Sequence, residues 1–196
     1  AVSNFAVGVT LAILPAFGKL LGGPAVYGLL LGALGVGRLL GSAAAPYLNG
    51  VPYGRMMTVG YLCSALLWLG SVYAPTVSLT VGLFGLAWVT GGVDGVMVET
   101  LNQTVFPQDI LGRISSIKGT ASAATLPVGS LVGGLIAEQL GTTTTMALAA
   151  SGFGFVGLYF ALRPSLRRLP PMDDVDPAAF DVHLDSPPAS GRPDGE

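Results

Sequence analysis

Three ionisable side chains, Arg38, Asp94 and Glu99, stand where the surrounding sequence is otherwise hydrocarbon. At a helical rise of about 1.5 Å per residue, Arg38 sits roughly 14 Å from the boundary at Tyr47, Asp94 roughly 18 Å from Phe106 and Glu99 roughly 10 Å. An unpaired charge at such depth is costly or neutralises itself by taking up or losing a proton. Arg38 lies between the two acids in depth, so either can be its partner. Two readings stand side by side: a charge relay or protonatable site coupled to movement of a substrate, and a fixed ion pair joining the second and fourth helices. Asn102 and Gln103 follow Glu99 by three and four positions and share its helical face. That face either lines a water-filled cavity or is the polar end of a span, and Asn4 is a further cavity candidate. Pro15 and Pro127 each remove a backbone donor and can bend their helices.

Other chemistry is poorly served. The single His183 and single Cys63 leave no metal-ligand cluster and no internal disulfide. No Ser/His/Asp or Cys/His set occurs, and no HExxH. A Gly-rich loop ending in Lys-Ser or Lys-Thr is also missing, so ATP hydrolysis by the chain itself is excluded. The expectation is a protein that is not an enzyme, with no cofactor, no metal and no nucleic-acid partner.

Stepping outward, these residues need helices in a bilayer to position them. Only 10% of the 196 residues are charged, 51% are apolar, and mean hydropathy is +0.67. Soluble domains average about 25% charged residues, and a soluble fold of this size could not cover its surface with so few. Six stretches reach the ~20 apolar residues that cross a bilayer: about 1–20, 25–48, 56–73, 77–105, 114–139 and 146–162. Short connections make consecutive helices antiparallel neighbours. The connections after the second and fourth helices, with the segment after the sixth, carry Arg55, Arg113, Lys118, Arg163, Arg167 and Arg168, against Lys19 alone on the opposite side. This bias predicts a multi-pass cell-membrane protein with both ends of the segment cytoplasmic.

The stretch Gly91–Lys118 organises this topology, because it leaves the slab carrying acids, turns at Phe106-Pro107 and re-enters past Arg113 and Lys118. Gly28, Gly32, Gly37 and Gly41 in the second helix, and Gly129 and Gly133 in the fifth, suit close helix packing. A glycine-rich second helix in each triplet hints at an inverted three-plus-three repeat. Residues 1–168 hold eight cations against four acids, a charge of +4; residues 169–196 hold seven acids against one Arg, a charge of −6. The proline-rich acidic tail, 169–196, is expected to be disordered and cytoplasmic. The chain has no cationic leader pattern and opens without Met, which suggests a piece of a longer protein.

Three stretches carry a family likeness: Leu21 to Leu30 running on to Gly41-Ser42; Phe106-Pro107-Gln108-Asp109-Ile110-Leu111-Gly112-Arg113-Ile114; and Leu126-Pro127-Val128-Gly129 with Gly133-Gly134. In order and at these helix positions they resemble the C-terminal half of major facilitator superfamily exporters, in particular the enterobactin-exporter-like, multidrug efflux branch. The resemblance covers about 1–162. It implies that Pro107, Asp109, Gly112 and Arg113 form a cytoplasmic loop motif, and that the six helices are the seventh to twelfth of a twelve-helix transporter. It further implies partnership with an N-terminal half of the same protein, and proton-coupled export of small molecules by alternating access, as in an antiporter. Gly54-Arg55 resembles a remnant of the family's other loop motif without its preceding Asp, and the likeness assigns no role to Arg38 or Asp94. The alternative, from another class, is a membrane scaffold or interaction protein that keeps the fold and moves no substrate.

Overall fold

A computed structural model describes residues 2–105 and 108–174, and their side chains except at 105, 108–111, 114 and 118. The described residues are all helical apart from turns: α1 (Val2–Leu21), α2 (Pro24–Ala44), α3 (Tyr53–Val72), α4 (Val77–Ala87), α5 (Val89–Val105), α6 (Gln108–Leu140), α7 (Thr142–Leu162) and a single-turn α8 (Pro164–Arg167). With α4 and α5 taken as one span, six helices are long and apolar enough to cross a membrane. The protein is an all-α polytopic membrane protein.

The helices form one bundle. α1 touches α2, α6 and α7, while α3 lies between α7 and α4, and α2 closes against α4 and α5. Among the spans, that of α6 is the least buried, followed by that of α2. The centre is aromatic: Trp68 of α3 packs against Phe84, Trp88 and Phe153 with ring centroids 5.1 to 5.4 Å apart. Such tilted and edge-on rings each add about 0.5–1.5 kcal/mol beyond the area they bury. Neither the Trp68 nor the Trp88 indole N–H has a hydrogen-bond acceptor among the described residues.

Small residues set the closest crossings. A Cβ at Gly41 would run into the Val89 carbonyl, and one at Gly92 into the Arg38 carbonyl, so α2 and α5 meet backbone to backbone. On the other flank Gly129 and Gly133 lie against Phe5 and Val9, and Ser130 Oγ donates to the Gly8 carbonyl at 3.0 Å. Gly28 and Gly32, of the same sequence pattern, face open space along α2.

Several boundaries differ from the sequence-based expectation. The fourth span breaks at Trp88, whose N–H turns back to the Gly85 carbonyl at 3.1 Å, between glycines that weaken the helix. The four threonines expected in a turn form the first turn of α7. Gly141 supplies the reversal at φ 83°, and Thr145 Oγ1 bonds back to its carbonyl. Gly112 and Arg113, expected in a loop, lie in the opening turns of α6. One glycine costs a helix only about 1 kcal/mol, and the Gln, Ile, Leu and Arg around it favour the helix. Asp109 is helical in backbone; its side chain and Pro107 lie outside the described residues. The tail, expected to be unstructured from Leu169, is pinned over its first residues: Tyr53 N–H donates to the Pro170 carbonyl at 3.3 Å and Met172 N–H to the Asn49 carbonyl at 2.9 Å. Residues 175–196, with His183, lie outside the described residues.

Candidate functional site

Asp94, on α5, points at α3. Its Oδ1 accepts from Tyr53 Oη at 2.6 Å and its Oδ2 from Tyr61 Oη at 2.7 Å. These are lengths typical of charge-assisted O–H···O bonds. Tyr53 and Tyr61 stand eight residues apart on one side of α3, so one phenol reaches each oxygen of the same carboxylate. Both tyrosines are buried. Their rings are held from behind by α7: Tyr61 lies 5.7 Å from Phe153, and Tyr53 meets Phe160 edge-on at 6.2 Å.

The polar seam continues one turn further along both helices. Ser64 Oγ donates to Thr90 Oγ1 at 2.9 Å, and Thr90 Oγ1 donates to the Gly60 carbonyl at 3.1 Å. Gly60 leaves the space that Thr90 fills. Because Gly60 is level with Thr90 and the helices are antiparallel, Asp94 is level with the first turns of α3, near Met56. It is therefore shallower than a count back from Phe106 suggests. The fourth span is 28 residues, about 42 Å at 1.5 Å per residue, which overshoots the ~30 Å hydrocarbon layer.

The other candidates separate from this centre. Glu99 lies five residues beyond Asp94, level with the chain before α3, and is exposed; Asn102 Nδ2 donates to its Oε2 at 3.5 Å. Asn102 itself is buried, and Gln103 is exposed. The Arg38 main chain adjoins Gly92, two residues from Asp94, but its side chain is exposed. Among the described residues it forms no ion pair with Asp94 or Glu99. Asn4 turns to the other side, where its Nδ2 donates to the Ser122 carbonyl of α6 at 3.3 Å.

The donors that a half-buried acid in a span needs are supplied by the tyrosines in place of the arginine. A membrane acid needs donors, and two buried phenols satisfy both oxygens without a second charge. Residues 2–190 of the chain match the family model described as transmembrane secretion effector. The chain belongs to this family of the major facilitator superfamily. No curated protein and no solved structure matches it. Membership of the transmembrane secretion effectors makes the chain a multi-pass membrane transporter in kind, and not an enzyme in kind.

Proposed function

We propose that this chain is the C-terminal half of a twelve-helix secondary transporter that exports small molecules in exchange for protons, with Asp94 as the proton-carrying group. The observation that carries this reading is the Tyr53–Asp94–Tyr61 arrangement: an acid between two spans, satisfied by neutral groups and free of a fixed counter-ion. The tyrosines bind the carboxylate through neutral hydroxyls, so no second charge within the spans has to move with it. The half-transporter reading draws on the resemblance of 1–162 and on the exposed apolar faces of α2 and α6. Leu29, Val36 and Leu40 on α2, with Val128, Leu131 and Leu135 on α6, are all exposed, as surfaces meeting a further half or lipid would be.

The test is substrate flux into proteoliposomes of the full-length protein, with and without a pH gradient. Asp94→Asn keeps the shape and both phenols but cannot ionise, and should abolish gradient-driven flux at unchanged membrane abundance. Glu99→Gln should leave more of the gradient response than Asp94→Asn does, because Glu99 is outside the seam. Gradient-driven flux that survives in Asp94→Asn would remove Asp94 from coupling. Absence of any flux in the unaltered protein, over a panel of amphipathic compounds, would favour the scaffold reading.

A further inference from the structure

The segment after α7 folds back over the start of α3 and builds a cleft there. Its volume is about 470 Å³, and its lining includes Arg55, Arg167 and Arg168 with Pro52, Leu169 and Pro170. The two backbone bonds that pin Pro170 and Met172 hold it in place. So does Gly54, whose missing Cβ admits the Leu166 and Arg167 main chain. Three arginines thereby line one cleft, and among the described residues none of them forms an ion pair. Like charges held together in this way repel one another, and an anion relieves the repulsion. Arginine is the residue best shaped for a phosphate.

Arg55 also lines a second cavity of about 470 Å³, which runs along the spans between Leu48, Val51, Met56, Val59 and Val93 and is almost wholly apolar. This groove opens beside the outer face of α3, where Val59 and Leu66 are 60% and 69% exposed. The cationic cleft sits where the α3 span begins and the α7 span ends. An anionic head on arginines and a hydrocarbon chain in the groove, joined at Arg55, describe one kind of molecule. We propose that this is a binding site for an anionic phospholipid, its phosphate on Arg55, Arg167 and Arg168 and an acyl chain along Val59 and Val93. Basic pockets of this kind at the ends of membrane helices suit phosphate headgroups.

The experiment is native mass spectrometry of the full chain in detergent, titrated with phosphatidylglycerol or phosphatidylcholine of the same acyl chains. Phosphatidylglycerol should be retained at least tenfold better. The R55Q/R167Q/R168Q variant should lose that preference, R55K/R167K/R168K should keep most of it, and Val59→Trp should weaken retention by filling the groove. Selectivity in the unaltered chain is read without any variant, so a misfolded variant leaves the proposal open to refutation. Equal retention of the two lipids, or undiminished phosphatidylglycerol binding in the Gln variant, would overturn it. Millimolar inorganic phosphate should not displace the lipid; full displacement would make the site a phosphate site only. Selective binding that arises solely after removal of residues 175–196 would assign the cleft to the acidic tail instead.

Discussion

At the residue scale, the Tyr–Asp–Tyr arrangement divides its labour unevenly. Tyr61 packs against Phe153 within the span, whereas Tyr53 is the first residue of its helix and meets Phe160 by its edge. Removing one phenol strands a carboxylate oxygen, at about 1–3 kcal/mol for an unsatisfied buried polar group. Tyr61→Phe should therefore lower thermal stability more than Tyr53→Phe, whose partner oxygen is nearer the span end and water. Tyr61→Phe combined with Asp94→Ala should be less destabilising than the sum of the two, because the double change removes both halves of one interaction. Thermal unfolding in detergent of the unaltered chain and these four variants measures both outcomes; strict additivity would mean that the 2.7 Å contact contributes nothing.

At the element scale, the break at Trp88 and the glycine crossing below it set the direction of α5. Gly92 lies against the Arg38 main chain, and Ser42 Oγ adds a bond of 3.4 Å to the Gly92 carbonyl. Gly92→Ala would place a methyl group against backbone that cannot rotate aside. Strain of this kind typically costs about 1–3 kcal/mol, and here it would also push Asp94 off the tyrosines, two residues on. The expected outcome is reduced melting temperature together with reduced gradient-driven flux. Gly91→Ala, at a neighbouring position with open space for the methyl, should be mild in both assays. Equal effects of the two would show that the crossing does not govern the site.

At the scale of the whole molecule, charge asymmetry predicts orientation. Arg55, Arg163, Arg167 and Arg168 converge on one end of the bundle, and Arg163 lies 5.7 Å over the Tyr159 ring, an interfacial arrangement of cation and aromatic. A reporter fused at Gly141 should read as extracytoplasmic and one fused after Arg168 as cytoplasmic. The reverse pattern would invert the topology and move the arginine cleft to the outer leaflet.

The sequence by itself determined the class of the protein. Ionisable side chains so scarce before Leu169, in runs of about 20 residues, leave a bilayer as the only solvent for the exposed surface, and each helix satisfies its own backbone there. Six spans and the location of Asp94 in the fourth were legible for that reason; motifs made the superfamily legible, and of the glycines singled out Gly37, Gly41, Gly129 and Gly133 meet a neighbour whereas Gly28 and Gly32 do not. Tertiary structure alone decided the partners. Tyr53 and Tyr61 looked like ordinary aromatic residues of a span, although their spacing of eight on one helix side was a signal that an acid elsewhere needed donors. That Asp94 is held by them rather than by Arg38 depends on the rotation of α5 after Trp88 and on its register against Gly60. Those are packing outcomes, and hydropathy along a single helix contains no information about which neighbour it will face.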